Sequence, residues 1–427
     1  MLVKCLVCGA VFDDSIELCP VCGVGEQYFV PMDEDDKPKV KDTNHHYVIL
    51  GGGIAGLSAA KAIRERDRTG RILMISAEKE YPFNRPMLTK ALNEKLSEEE
   101  LEVEHEAWYD ENMIRIYLNK SAVFLDANSQ TVKAGPLEFL YDRIIIAVGA
   151  ECFVPPFKGA DQDHVVAIRH QSDVKKIREM IPNISDAVVI GGGVLGLEAA
   201  WSLRESGLNV TVLETADRLL QRQLTADASA ILAKSVADAG VKALTGVGTQ
   251  EITKDSVILT DGTKVPAQLV VVSCGIRANT ELAASAGIEV QRAIVVDDRM
   301  RTNLPNVFAA GDCAQYGGIN YALWSEAMEQ GRVAGANAAG DIIHYNFATP
   351  GLTFNGMNTS LFAIGDQGQA DEAYKVVTSD VPGKYERFTF KDGKLVGAIL
   401  IGDTSRLVEM MTKVPAGTPY EEMFPEG

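Results

Sequence analysis

The 427-residue sequence has no long apolar run: its purely apolar stretches, such as Ile144–Val148, are far too short to cross a bilayer. Positive charge is in deficit, with 41 Lys and Arg against 59 Asp and Glu, a net charge of −18. Phosphate backbones and anionic lipid surfaces repel such a chain, so neither nucleic acid nor membrane is an expected partner. No secretory signal is visible, because Cys5 and Cys8 interrupt the first residues, and a cytoplasmic location is expected. Cysteine is scarce and lopsided. Four of the seven, Cys5, Cys8, Cys19 and Cys22, fall within the first 22 residues, while Cys152, Cys274 and Cys313 are scattered. A secreted disulfide scaffold would be shorter and would spread its cysteines. No short-period repeat suggests a solenoid. What is there is an ordinary core-forming composition, 46% apolar and 23% charged, which excludes a disordered or collagen-like chain. The length corresponds to roughly three domains.

Residues 1–30 form a small cysteine module. Residues 31–44 (PMDEDDKPKVKDTN) are charged, carry two prolines and lack hydrophobic periodicity, and are expected to be a linker. Fully extended, such a segment reaches about 45 Å; as a flexible coil it spans roughly 20 Å. A β-α-β unit follows: strand Tyr47–Leu50, glycines Gly51-Gly52-Gly53, a helix from Ile54 to about Arg66, and strand Arg71–Ser76. A second copy begins at strand Ala187–Ile190, with Gly191–Gly193, a helix to about Glu205 and strand Asn209–Leu213. Near the C-terminus, Tyr385–Lys391 and Val396–Ile401 pattern as antiparallel strands around a turn at Asp392-Gly393.

Each unit carries a G-x-G-x-x-G fingerprint: Gly51, Gly53 and Gly56, then Gly191, Gly193 and Gly196. Alone the pattern is weak. Following an apolar strand and opening a helix, with an acid after the next strand, it is strong. The first glycine permits the tight turn, the second lets backbone approach a pyrophosphate, and the third lets helix pack on strand. The binding set is therefore Gly51, Gly53, Ile54, Ala55 and Gly56 in one copy, and Gly191, Gly193, Val194, Leu195 and Gly196 in the other. The acid of the second copy is Glu214, whose carboxylate would accept from a ribose 2′-hydroxyl and repel a 2′-phosphate; NADH is favoured over NADPH, with Arg218 and Arg222 nearby. The acid of the first copy is Glu78, beside Ala77.

From Tyr47 onward the sequence resembles the FAD-dependent pyridine-nucleotide oxidoreductases with two dinucleotide-binding domains. Tyr81–Lys90 (YPFNRPMLTK) resembles the family's stretch beside the flavin. Ile144–Gly149 resembles its crossover into the NAD domain, and Val272–Asn279 the returning crossover. Asn306–Asp312 resembles the second FAD motif, and Gln330–Gly335 the helix that follows. The resemblance implies an α/β fold of two Rossmann-like domains, one for FAD and one for NAD, with a small C-terminal α+β domain. The implied division is FAD domain 45–150, NAD domain 151–275, FAD domain again 276–342, and interface domain 343–427. It implies cofactor contacts at Arg85, Lys90, Val123, Ala147, Gly149, Gly275, Gly311, Asp312 and Trp324, with Asp312 on the ribityl chain and Trp324 near the flavin ring. Glu198 and Lys90 match positions that form an ion pair near the flavin in similar reductases, where they orient and tune the ring.

No cysteine occurs between Cys22 and Cys152. The thiol-bearing branches of the family place their reactive cysteine there, so disulfide, peroxide and persulfide chemistry is disfavoured. The remaining branch passes electrons to an external or fused acceptor. Cys274 and Cys313, within crossover and FAD motifs, are expected to be small buried residues.

Cys5-x-x-Cys8-Gly9 and Cys19-Pro20-x-Cys22-Gly23 are two knuckles with ten residues between them. C-x-x-C aims two thiolates at one metal, and sulfur-only ligation suits iron or zinc. The pair resembles a shortened rubredoxin. It implies an iron centre taking electrons from NADH through FAD and passing them to a downstream redox protein, in similar systems one that removes oxygen or peroxide. The alternative is a structural or partner-docking zinc ribbon on a reductase of a separate rubredoxin or ferredoxin. The C-terminal stretch Phe354–Met357 and Ile364–Asp366 also resembles the flavoprotein part of assimilatory nitrite reductases; without siroheme or further cluster cysteines, nitrite reduction by this chain is not expected.

Overall fold

Four consecutive apolar residues make His46–Leu50 a strand buried on both faces, as a central parallel strand must be. Around it, in a computed structural model that describes residues 2–5, 11–19, 25–26, 29–31, 38–94, 96–346, 349, 351–368 and 373–425, the chain forms two units.

The first unit comprises Met1–Arg85, Ser97–Glu151 and Ile276–Phe347. Its parallel sheet runs in the order Val307–Ala309, Arg143–Ile146, His46–Leu50, Arg71–Ile75, Ile114–Tyr117. Ile144, Ile145 and Ile146 are at most 1% exposed; burying each such side chain contributes about 1.5–3 kcal/mol. On this sheet lie the first fingerprint helix, Ile54–Arg64, and the long helix Trp324–Ala338. The two helices approach closely because Gly331 and Gly335 have no side chain: a Cβ there would stand 2.2 Å from Ala55 O and 2.3 Å from Ala59 O. The first helix ends at Arg64, two residues earlier than the pattern suggests. Asp67 ends it, accepting from Thr43, Thr69 and Gly70 N–H groups and from the Tyr47 hydroxyl.

The N-terminal module belongs to this unit. Strands Val11–Asp13, Leu2–Cys5 and Phe29–Pro31 form an antiparallel sheet in that order. The linker is not loose throughout. Lys41 N–H donates to Arg66 O at 2.8 Å, Arg68 N–H to Lys41 O at 3.1 Å, and Arg68 pairs with Asp42. The polar end of the segment, KDTN, thus matches the Arg66–Thr69 turn, which is why it lies down on it.

The second unit comprises Pro86–Leu96, Cys152–Gly275 and Ala348–Gly427. Its parallel sheet runs Val165–Val166, Leu269–Val272, Asp186–Ile190, Asn209–Glu214, Lys242–Thr245. The second fingerprint helix is Val194–Glu205. A five-stranded antiparallel sheet follows, in the order Gly351–Gly356, Thr359–Gly365, Lys394–Ile401, Lys384–Lys391, Tyr374–Val381. The helix Leu407–Ala416 covers it. Pro86–Leu96 groups here, although its sequence lies within the stretch assigned to the FAD domain.

Candidate active site

The two fingerprints have nearly the same backbone geometry. Gly51 and Gly191 sit at φ +120° and +119°, where a side chain is strained. A Cβ would also stand 2.0 Å from Ala147 O at Gly51 and 2.2 Å from Ser273 O at Gly191. A Cβ at Gly56 or Gly196 would meet the carbonyl of Gly51 or Gly191 at 2.2 and 2.0 Å. At Gly53 and Gly193 nothing lies within 4 Å of that position, and neither helix has a side-chain cap. Two of the three glycines therefore serve the fold. The middle one borders open space at a helix N-terminus whose N–H groups face outward, as a pyrophosphate requires. The residues present fit one dinucleotide per unit.

In the second unit, Glu214 closes the turn. Its carboxylate accepts from Gly192 N–H at 2.7 Å and from Ala216 N–H at 2.8 Å. Arg218 pairs with Asp217 at 2.9 Å, so its charge is engaged beside the glutamate. Val194 is half-buried and Leu195 exposed, both in the first helical turn. Gly275, at φ +95°, also borders open space.

The same unit holds Glu198 and Lys90. Among the described residues no ion pair joins them. Instead the Thr89 hydroxyl donates to Glu198 Oε2 at 3.0 Å. Thr89 is buried and Lys90 exposed, so the short side chain reaches the carboxylate while the long one turns to solvent. Burial pushes the Glu198 carboxyl above its ordinary range; the Thr89 hydrogen bond and the Lys90 charge pull it back in part.

In the first unit, Glu78 pairs with Arg85 at 2.6 Å, and its own N–H donates to Ser76 Oγ at 3.2 Å. Arg85 also stacks over Phe83, 4.6 Å from the ring centroid. Gly149 is at φ +67°, and beside it Asn279 binds Val148 O and Gly149 O, each at 3.0 Å, locking the crossover. Asn279 ends the Val272–Asn279 crossover stretch, whose local pattern does not disclose this task. Gly311 N–H donates to Gln330 Oε1 at 2.9 Å, and Asp312 O accepts from Asn320 at 2.8 Å. Ala147 is buried, and Trp324, first residue of the long helix, packs on the core. Val123 is 65% exposed, with its N–H on Lys133 O at 2.8 Å.

Cys313 is buried as expected, whereas Cys274 is half-buried, and both thiols are poor nucleophiles. Burial pushes Cys274 up to about 11, helped by the negative charge of Glu214, and burial pushes Cys313 up to about 11.

Of the four-cysteine module, Cys8 and Cys22 lie outside the described residues. Cys5 and Cys19 are 0% and 2% exposed. Among the described residues no group of three metal-capable side chains converges. No helix among them is long and apolar enough to cross a membrane.

This pairing of glycine turns and crossovers has a counterpart among known proteins. The chain belongs to the pyridine nucleotide-disulphide oxidoreductase family, whose signature covers residues 45–331. Residues 350–415 match the rubredoxin NAD+ reductase C-terminal domain. The chain is 33% identical over 377 residues to a nitrite reductase (NAD(P)H) of Bacillus subtilis, covering 86% of this chain but 47% of that protein, about half its length. It is 28% identical over 378 residues to the NADH-rubredoxin oxidoreductase of Clostridium acetobutylicum, covering 88% of this chain and 96% of that one. The crystal structure of a ferredoxin reductase from Rhodopseudomonas palustris matches with a TM-score of 0.82 at 28% identity, covering 88% of this chain and 96% of that one.

Proposed function

We propose that this chain is an NADH-dependent FAD flavoprotein that reduces rubredoxin- or ferredoxin-type redox proteins, and that its four N-terminal cysteines hold one iron that serves as acceptor. The observation that carries this reading is two glycine-lined dinucleotide turns on a chain with no cysteine between Cys22 and Cys152. Such a chain has the binding apparatus of a two-dinucleotide reductase without the thiol that would make it a disulfide or peroxide enzyme. The relatives named for rubredoxin and ferredoxin reduction support the same class of partner.

The chain's residues divide the work. The N–H groups of the Gly191–Gly196 turn bind the NADH pyrophosphate, and Glu214 accepts from its ribose hydroxyls. The Gly51–Gly56 turn, Glu78 and Asp312 hold FAD. Glu198, fixed by Thr89, would orient the nicotinamide. FAD, when bound, supplies the exchange between a two-electron donor and one-electron acceptors. Cys5, Cys8, Cys19 and Cys22 would ligate the metal as thiolates, with the buried surroundings of Cys5 and Cys19 keeping water off the sulfur. The net charge of −18 favours a downstream protein with a basic patch.

The test is an anaerobic visible spectrum before and after NADH addition. Ferric-thiolate bands that bleach with the flavin support the iron reading. A spectrum of flavin alone would assign zinc to the module and move the acceptor outside the chain. In Cys5→Ser the metal is lost and FAD retained; iron-dependent transfer that survives this substitution would refute the relay.

A further inference from the structure

We propose that the N-terminal cysteine module is a resident of the flavin-binding unit, docked in cis on the long helix Trp324–Ala338, with Lys4 as the residue that fixes its seat. The inference goes beyond the proposed activity and does not depend on which metal the cysteines hold.

The contact is specific. Lys4 Nζ lies 3.1 Å from Glu329 Oε1, on a helix 325 positions away. Glu329 is 12% exposed and is also gripped by Arg332 Nε at 2.8 Å and Nη2 at 2.9 Å. One carboxylate thus receives two cations, one from its own helix and one from the module. The Lys4 side chain is 37% exposed, so the pair lies between the buried and exposed cases; withdrawing Lys4 leaves a nearly buried carboxylate with one cation fewer. Despite burial, Arg332 and then Lys4 hold the Glu329 carboxyl down at about 2.

Apolar packing surrounds the anchor. Val3, Cys5, Phe12 and Cys19 belong to the same contiguous buried cluster as Ala327, Met328, Ala334 and the central strands of the unit. Phe29 and Trp324 pack against that cluster as well. Phe12 and Phe29 meet edge-to-face with centroids 4.7 Å apart, joining the two outer strands of the module. A module that only swung on a tether would expose this surface. Here it is core, and two of the four cysteines are part of it. The seat places the cysteine module against the helix that begins at Trp324, the aromatic expected near the flavin ring.

Hydrogen exchange and cross-linking on the full-length holoprotein test the seat. In a mixture of isotopically light and heavy chains, carbodiimide should join Lys4 to Glu329 within light or within heavy chains only. In Lys4→Glu, which sets a second carboxylate against Glu329, amide exchange over residues 2–5 and 324–332 should rise at least about tenfold, with residues 46–50 unchanged. Glu329→Gln, remote from the cysteines in sequence, should open the same segments. Metal and FAD contents measured on each sample separate loss of the seat from loss of either cofactor. A light–heavy product, no product at all, or protection unmoved by both substitutions would overturn the proposal.

Discussion

Thr89 donates its hydroxyl hydrogen to Glu198 at 3.0 Å, occupying the place where an ion pair with the neighbouring Lys90 was expected. The carboxylate is therefore held by a neutral, short, buried partner, and its protonation answers to burial first. Removing the hydroxyl removes a pull toward the ionised form. In Thr89→Ala the Glu198 carboxyl should titrate higher still, so the acidic limb of the pH profile for flavin reduction by NADH should move to higher pH. Stopped-flow rates across the acid range decide it, and a limb that stays in place, or moves down, excludes the pair from the site. Glu198→Ala should slow the same step while FAD stays bound.

The second and third glycines of the second fingerprint should separate binding from folding. Gly193 borders open space at φ −78°, so Gly193→Ala should fold normally and raise KM for NADH roughly tenfold, about 1.4 kcal/mol, by crowding the pyrophosphate. At Gly196 a Cβ would stand 2.0 Å from Gly191 O, so Gly196→Ala should instead lower thermal stability by about 1–3 kcal/mol. Calorimetry beside steady-state kinetics reads both. Equal behaviour of the two variants would contradict the division of roles.

Glu214 should set cofactor choice. With its carboxylate oriented by Gly192 and Ala216 N–H groups, a 2′-phosphate meets fixed negative charge. Glu214→Ser should reduce the NADH-over-NADPH preference in kcat/KM by roughly tenfold, about 1.4 kcal/mol. An unchanged ratio would place the discriminating group elsewhere.

Glu329 should make the first unit acid-labile. Its folded-state carboxyl sits at about 2, below the ordinary value of 4.5. A depressed carboxyl stabilises fully above its unfolded value, and that stability is lost as pH falls from 4.5 toward 2. Denaturant melts at stepped pH should show stability falling in that window, with a shallower slope in Glu329→Gln. Identical slopes would mean the carboxylate is not charged and paired in the native state.

The sequence was most legible where sterics leave one residue type. The glycines of both fingerprints could be found because a Cβ at four of them meets a carbonyl, and the strands beside them because central parallel strands are apolar on both faces. The Lys394–Ile401 and Lys384–Lys391 hairpin was legible through its Asp392-Gly393 turn, where both residues have positive φ. What could not be read was contact across long separations. No local pattern reports that Lys4 meets Glu329, or that Pro86–Leu96 folds with the second unit. The family resemblance pointed to Lys90 as the partner of Glu198. Side-chain reach and burial chose Thr89, a preference that spacing alone does not encode. The far end of the expected linker holds another such match, which composition does not report: Asp42 pairs with Arg68, and Thr43 N–H donates to Asp67.

That match changes the kinetics open to the cysteine module. With the chain pinned from Lys41 onward, ten peptide links separate the anchor from Pro31, the last residue of the module's sheet. Those links bound any excursion at about 35 Å. A module released on so short a leash re-encounters its helix at an effective concentration of order millimolar. A dissolved competitor at micromolar levels would seldom displace it, even if each separate visit to the seat were brief.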